Sequence, residues 1–203
     1  MARRPSSPHT IRDKMVHALI RTDDAAEARR KLEKCSDVDV VGNWDWTPLH
    51  EAAARGNLRL VQMLLARGAA IDARSDHQRT PLDLAAYRRK HAVVAYLLGQ
   101  GAMPNTRDKF GKTPLHAAAV NDDVTTAKLL IEKGAQVNAK DRRGLTPLHD
   151  AAANKSFLMI DLLLHSGACV NARSQMGTTP MRVAATKGFR DVVSLLARNG
   201  GRL

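Results

Sequence analysis

The chain has 203 residues, of which 44% are hydrophobic, so it is long enough for one domain with a sizeable core. It contains no run of the roughly 18 apolar residues that a membrane-spanning helix needs, and no apolar signal-peptide stretch follows its charged N-terminus. Its two cysteines, Cys35 and Cys169, exclude a disulfide framework, so we expect a reducing compartment. The formal net charge of +12 concerns partners and solubility rather than fold.

A repeating unit organises almost the whole chain. Residues 1–13 precede it, and we predict that they are disordered or frayed because they are largely polar, basic and proline-containing. From there on, Thr-Pro pairs recur every 33 residues, which indicates a stack of like structural units within one domain, 14–203. The predicted units are a degenerate first one at 14–46, full ones at 47–79, 80–112, 113–145 and 146–178, and a short last one at 179–203.

Each unit predicts two helices. Thr47 has the character of a helix N-cap, and Pro48 suits the first helical position, where its missing N–H has no consequence. Residues 49–53 then form a short helix with a small-residue face, and residues 58–65 carry leucine and valine at helical spacing. Gly68 follows where the chain must leave the second helix through left-handed backbone.

A projecting turn, here called a finger, joins each unit to the next. The five fingers are residues 41–46, 74–79, 107–112, 140–145 and 173–178. Gly111, Gly144 and Gly177 share one finger position, where a positive φ is expected. Asp45 and Gln78 take that position in the first two fingers, so we expect those fingers to be stiffer or differently shaped.

Three segments carry a resemblance to a known family. TPLHEAAARGNLRLVQMLLARGAAIDA resembles an ankyrin repeat, as do TPLHAAAVNDDVTTAKLLIEKGAQVNA and TPLHDAAANKSFLMIDLLLHSGACVNA. The resemblance extends over nearly everything from residue 14 onward, and the two outer units depart from it most, as is typical of caps. It implies an all-α solenoid of helix–turn–helix units with projecting β-turn or hairpin fingers. It also implies a non-catalytic module for protein–protein interaction.

One column of histidines raises the question of a metal site. The repeat position is held by His17, His50, His116 and His149, with Asp83 and Arg182 in the other two units. Neighbouring repeats stack about 10 Å apart, whereas ligating nitrogens lie about 2 Å from a metal. The resemblance instead implies hydrogen bonding within and between repeat turns. Because no catalytic or phosphate-binding motif is present either, we predict no enzymatic activity, no metal and no cofactor.

The resemblance also indicates where a partner would bind: on the fingers and the exposed side of the first helices, a concave strip. Four of the seven aromatic residues fall on such positions around three consecutive Thr-Pro pairs, which begin at Thr47, Thr80 and Thr113. They are Trp44, Trp46, Tyr87 and Phe110. Exposed aromatics beside arginine are typical of interface hot spots. The alternative for the two tryptophans is that they cover the imperfect first repeat and shield its core.

Basic residues share this surface. Arg74, Arg107, Lys140 and Arg173 recur at one finger position, where the family often has a basic residue. The full predicted partner-binding set is Trp44, Trp46, Arg55, His77, Arg79, Tyr87, Arg88, Lys109, Phe110, Lys112, Arg142, Arg143, Leu145 and Met176. We predict a partner protein with an apolar anchor and acidic flanks, bound by a monomeric scaffold or adaptor in the cytoplasm or nucleus. The alternative is nucleic acid or another anionic surface, bound through the basic strip without membrane insertion.

Overall fold

The computed structural model of the chain describes residues 38, 39 and 41–203. Across these residues the chain forms one short 3-10 turn, Asn43–Asp45, and ten α-helices but no strand. The helices are α1 (Pro48–Arg55), α2 (Leu58–Ala66), α3 (Pro81–Tyr87), α4 (His91–Gly99), α5 (Pro114–Val120), α6 (Val124–Glu132), α7 (Pro147–Ala153), α8 (Phe157–His165), α9 (Pro180–Thr186) and α10 (Arg190–Arg198). Within this part of the chain, no helix is long and apolar enough to cross a membrane.

The predictions for the N-terminal region lie outside the described residues. They concern the frayed segment 1–13, the helices of unit 14–46, His17 and Cys35.

The Thr-Pro pairs start the first helix of every described unit. At α1, Thr47 is extended (φ −79°, ψ 164°), and its hydroxyl oxygen accepts a hydrogen bond from the His50 amide. The His50 ring in turn accepts from the Thr47 amide, which completes a capping box, and Pro48 occupies the first turn. The second helices end at left-handed glycines such as Gly134, with φ of 84°. The predicted N-cap and the predicted helix exit are therefore both confirmed.

The helices pack in two layers. The first helices α1, α3, α5, α7 and α9 contact one another in sequence, and α2, α4, α6 and α8 do the same beside them. Alanines such as Ala85 and Ala118 are fully buried between the first helices, where their small side chains permit close approach. Leu82 and Leu115 are also fully buried, and each contributes about 1.5–3 kcal/mol by removal from water.

The fingers are joined to one another by main-chain hydrogen bonds. The amide of Lys109 donates to the carbonyl of His77 at 2.9 Å, and the amide of Arg142 donates to the carbonyl of Phe110 at 2.9 Å. The same bond links Asp76 to Trp44 at 3.1 Å and Gln175 to Arg143 at 2.9 Å. We call this series the finger ladder. It holds all five fingers in one row.

Asp45 and Gln78 replace the turn glycine in the first and second fingers, and the backbone conformation differs between these two fingers. Gln78 adopts a φ of 58°, and its amide donates to Ser75 at 2.8 Å, the same bond that Gly111 makes to Asp108. The expectation of a different shape is therefore wrong for the second finger, because Gln78 accepts the left-handed conformation at a cost of about 1–2 kcal/mol. The first finger does differ, since Trp44 also has a positive φ of 68°.

Candidate partner-binding surface

The fingers and the last residues of the first helices form one surface, which we call the finger strip. Trp44 is 66% exposed, Phe110 is 52% exposed and Tyr87 is 45% exposed. Large aromatic side chains usually lose most of their surface on folding, so this exposure is unusual. Three of the four aromatics predicted to bind a partner are thus available to solvent.

These aromatics each have a neighbour that also belongs to the predicted set. The indole of Trp44 meets the His77 ring edge-on, with the centroids 6.1 Å apart. The Arg79 guanidinium lies 5.4 Å from the centre of the Tyr87 ring. The ammonium of Lys109 lies 5.2 Å from the centre of the Phe110 ring. Such cation–π contacts contribute about 0.5–1 kcal/mol at exposed sites and orient the rings.

Trp46 has a different environment from Trp44. It is half-buried, and its ring stacks on the ring of His50 with centroids 6.4 Å apart and an interplanar angle of 25°. His50 is fully buried. Trp46 therefore covers the cap of α1. This is a shielding role like the alternative given above for both tryptophans, but it shields unit 47–79 rather than the first repeat.

Three buried histidines tie each unit to the next finger. In each, Nδ1 accepts from the amide of the preceding threonine, so the proton of the neutral ring sits on Nε2. Nε2 then donates to a carbonyl of the following finger: His50 to Arg79 at 2.9 Å, His116 to Leu145 at 3.1 Å and His149 to Thr178 at 2.9 Å. Burial lowers the pKa of all three rings. The predicted hydrogen-bonding role is confirmed for these three histidines.

Asp83 breaks the column and uses its carboxylate differently. Its Oδ2 accepts from the amide of Thr80 at 2.8 Å, from the hydroxyl of Thr80 at 2.9 Å and from the hydroxyl of Thr106 at 3.2 Å. The helix cap is thus retained, but a carboxylate is too short to replace the imidazole that would reach the next finger. Burial raises the pKa of Asp83 to about 6, and the nearby Asp108 carboxylate adds to the shift against the threonine hydrogen bonds.

A pocket of about 280 Å³ opens above Asp83, lined by residues of units 80–112 and 113–145 and by the last residue of unit 47–79. Its lining is Arg79, Asp83, Tyr87, Asp108, Phe110, Lys112, Thr113, Ala117 and Val120. Four of these residues belong to the predicted partner-binding set: Arg79, Tyr87, Phe110 and Lys112. Sequence reasoning missed Asp83, although the interrupted histidine column was the signal that could have identified it.

Several predicted cations have an intramolecular carboxylate beside them. Lys112 Nζ lies 2.9 Å from Asp150 Oδ2, and Arg79 Nε lies 3.7 Å from Asp108 Oδ2. Two further pairs are Arg55 with Glu51 at 2.6 Å and Arg143 with Asp141 at 3.8 Å. The guanidinium groups of Arg88 and Arg142 make no ion pair with any residue that the structure describes.

The recurring basic column proves to be part of the scaffold. Arg74 Nη1 donates to the carbonyl of Gln78 at 3.1 Å and to that of Arg107 in the next finger at 3.0 Å. Arg107 Nη1 donates in the same way to Lys140, at 2.6 Å, and Lys140 Nζ donates to Arg173 at 3.1 Å. These side chains brace the finger ladder, which explains why a basic residue recurs at this position.

The remaining predicted residues lie at scattered places on the strip. His77 is half-buried beside Asp76, with 3.7 Å between Nε2 and Oδ2, and Leu145 is half-buried at the end of the fourth finger. Met176 is 92% exposed on the last finger. The structure thus brings Trp44 to His77 and groups Tyr87 with Phe110, while Met176 stands apart from both.

No group of three or more His, Cys, Asp or Glu side chains is placed to hold a metal ion among the residues described.

Comparison with known proteins agrees with this architecture. A family model described as "Ankyrin repeats (3 copies)" matches residues 12–108, 92–174 and 143–202. No curated protein matches the chain. The all-α repeat solenoid expected from the sequence is confirmed. Ankyrin repeats are in general protein–protein interaction modules and are typically non-catalytic. The family match extends over nearly the whole sequence, so the chain belongs to the ankyrin-repeat family.

Proposed function

We propose that this chain is a non-catalytic module that binds a segment of another protein along the finger strip. The observation that carries the proposal is the position of the exposed apolar side chains. Of the ten large hydrophobic residues exposed in the described chain, six lie on the strip: Val41, Trp44, Tyr87, Phe110, Val120 and Met176. An exposed apolar surface bordered by polar residues is typical of a protein interaction site.

The chemistry of the strip supports an apolar anchor with acidic flanks in the partner. Trp44 and Phe110 offer aromatic surface, and hot spots of protein interfaces are enriched in such residues and in arginine. Arg88 and Arg142 are exposed, and Arg143 has a side chain that is 72% exposed. These three cations flank the aromatics and would meet carboxylates of the partner, which speeds association more than it adds affinity.

The setting of the proposal is a single domain, 14–203, acting as a monomeric scaffold or adaptor in the cytoplasm or nucleus.

A comparative capture experiment tests the proposal. The wild type, Trp44→Ala and the double variant Arg142→Ala/Arg143→Ala serve as baits, and bound proteins are quantified by mass spectrometry. The matched control is Phe157→Ala/Leu158→Ala, because these residues are 40% and 73% exposed on α8, outside the strip. We expect Trp44→Ala to lose a specific partner by roughly 30-fold in affinity, or about 2 kcal/mol, with an unchanged melting temperature.

The control decides how such a loss is interpreted. A loss with Trp44→Ala and retention with the α8 variant supports the strip. Equal losses with both variants, or unfolding of Trp44→Ala, would contradict the proposal. With a purified partner, the Arg142/Arg143 variant should reduce the association rate more than it changes the dissociation rate.

A second candidate is nucleic-acid binding, which the net charge of +12 favours. A labelled DNA duplex and a labelled RNA strand, titrated at 50 and 200 mM salt, test it directly. A contact with 6–10 phosphates would weaken about 10³–10⁵-fold between these salt concentrations. Arg59→Ala/Lys128→Ala changes two exposed cations on α2 and α6 and serves as the control for bulk charge. Protein binding along the strip predicts no effect of this variant.

A further inference from the structure

The pocket above Asp83 has the size and lining of a site for one side chain. Its volume of about 280 Å³ is just below the roughly 300–1,000 Å³ of sites for whole small molecules. Tyr87, Phe110 and Val120 are exposed around it, and Ala117 completes an apolar wall. An apolar group of a partner could therefore enter beside two aromatic rings.

The base of the pocket carries one open hydrogen-bond acceptor. Asp83 is only 6% exposed, and all three hydrogen bonds to its carboxylate end at Oδ2. No described residue donates to its Oδ1, although Asp83 lines the pocket. A ligand that displaces solvent from this oxygen without supplying a donor leaves a carboxylate oxygen unsatisfied, which is costly, so a ligand that supplies a donor gains more than one that does not.

We propose that this pocket binds a tyrosine or tryptophan side chain of the partner segment, whose hydroxyl or indole N–H donates to Asp83 Oδ1. The inference rests on the proposed function and names the anchor residue that the strip would recognise. The ring of the anchor packs against Tyr87 and Phe110, and its polar end reaches the carboxylate.

The lining argues against the other anchors of similar size. A phenylalanine would fill the pocket but leave Oδ1 without a donor. A lysine would pair its ammonium with the Asp83 carboxylate, but it would have to remove a full charge from water and would bring no ring to pack against Tyr87 and Phe110. An aromatic ring with a neutral donor satisfies Oδ1 and avoids that desolvation cost.

The proposed hydrogen bond should depend on pH, because a charged acceptor binds a donor more strongly than a neutral one. Burial raises the pKa of Asp83 to about 6, so its carboxylate forms between pH 5 and pH 7.5. The other charged or titratable groups facing the pocket are Arg79, Tyr87, Asp108 and Lys112, with Asp150 bound to Lys112.

Binding of matched probes to the full chain tests the inference. The probes are N-acetyl-tyrosinamide, N-acetyl-phenylalaninamide and N-acetyl-lysinamide, titrated up to tens of millimolar, with amide chemical shifts read at Thr80, Lys112 and Ala117. At pH 7.5 we expect the tyrosine probe to bind on the order of 10-fold more tightly than the phenylalanine probe, as a hydrogen bond to a charged group allows. At pH 5 the ratio should fall toward one.

Two variants keep the test informative. Asp83→His restores the residue that the other units use, so it should fold, fill the pocket and abolish saturable binding of the tyrosine probe. Asp83→Asn keeps the shape but cannot ionise, so the pH dependence of the tyrosine preference should disappear. Equal binding of the tyrosine and phenylalanine probes, tighter binding of the lysine probe, no saturable binding, or a preference that survives in Asp83→His would each overturn the inference.

The outcome is separable from that of the proposed function. Trp44, Arg142 and Arg143 do not line the pocket. Failure of the probes together with loss of partner by Trp44→Ala would overturn only the inference on the anchor. A tyrosine preference together with full partner capture by Trp44→Ala would instead contradict the wider strip.

Discussion

Units 80–112 and 113–145 share the two-helix arrangement and the finger ladder but differ at the capping position of the first helix, which is Asp83 in one and His116 in the other. His116 caps its helix through Nδ1 and reaches the next finger through Nε2, and it is fully buried. Asp83 provides the same cap but does not reach the next finger, and it lines a pocket. In a repeat protein, a break in the pattern marks the place where space and unused bonding capacity appear. Burial disfavours the charged form of each residue, so it raises the pKa of Asp83 and lowers the pKa of His116.

The largest effect should come from removing the histidine itself. His116→Ala deletes a helix cap, the bond to the Leu145 carbonyl and a fully buried ring, so we expect a loss of about 3 kcal/mol in the free energy of unfolding. Asp83→Ala, by contrast, deletes a cap together with a buried charge and should cost less at pH 7.5. Urea unfolding of both variants measures the difference. Equal losses would show that the two positions are energetically alike.

The opposite pKa shifts of Asp83 and His116 predict how the free energy of unfolding depends on pH. The pKa of Asp83 is about 6 in the folded state and about 3.9 in an unfolded chain, so ionisation opposes folding above pH 6. This penalty disappears as the pH falls from about 7 to about 4. The wild type should therefore gain roughly 2–3 kcal/mol relative to Asp83→Asn over that range.

The wild type and Asp83→Asn contain the same buried histidines, so the contribution of the histidines cancels in the difference between their free energies of unfolding. Their lowered pKa values act the other way, because the unfolded state binds the proton first and stability is lost as the pH drops below about 6.5. Unfolding free energies at half-unit pH steps provide the measurement. A difference that stays flat between pH 7 and pH 4 would contradict the burial of an ionisable Asp83.

Giving unit 80–112 the capping histidine of unit 113–145 should stabilise the fold. Asp83→His removes a buried carboxylate and supplies a ring that can donate to the Lys112 carbonyl, so we expect a gain of about 2 kcal/mol at pH 7.5, reduced by any crowding in the filled pocket. The control is His116→Asp, which makes the reverse exchange and should destabilise. Thermal unfolding of the pair shows whether the two environments are interchangeable.

The smallest effect concerns the turn between the two helices of each unit. Arg89 and Asp122 both adopt a positive φ there, 56° and 49°, whereas Gly56 holds the same place in unit 47–79. Arginine tolerates this conformation less well than aspartate does, so Arg89→Gly should stabilise by about 0.5–1 kcal/mol and Asp122→Gly by less. Both side chains are exposed, which limits other effects. A larger gain at Asp122 would reverse the ranking.

The repeat architecture could be predicted from the sequence because its determinants are local. A threonine before a proline starts a helix wherever it occurs, and a glycine at a left-handed exit ends one, so a constant spacing identifies the units. The exposure of Trp44 followed from its register in the finger. The stacking of Trp46 on His50 did not, because the orientation of a ring depends on neighbours that a register does not describe.

The pocket could not be predicted from the sequence, although its cause was visible there. Asp83 was interpreted as a tolerated exception in a structural column, since sequence position carries no information on how far a side chain reaches. The scaffold role of Arg74 and Arg107 also required the structure, because their hydrogen bonds go to main-chain carbonyls of another finger. The partner-binding role of the residues on the finger strip is a prediction. The recurrence of a basic residue at Arg74, Arg107 and Lys140 is explained by these hydrogen bonds between fingers.

The finger ladder has a consequence for how this surface can diversify. Its bonds join only main-chain atoms, such as the Lys109 amide and the His77 carbonyl, so they do not specify which side chains the fingers carry. A substitution at Trp44, Phe110 or Arg143 changes what the row displays without changing the path of the chain. Evolution or protein design can thus change the binding specificity of one finger at a time while the main-chain hydrogen bonds keep the spacing of the fingers constant.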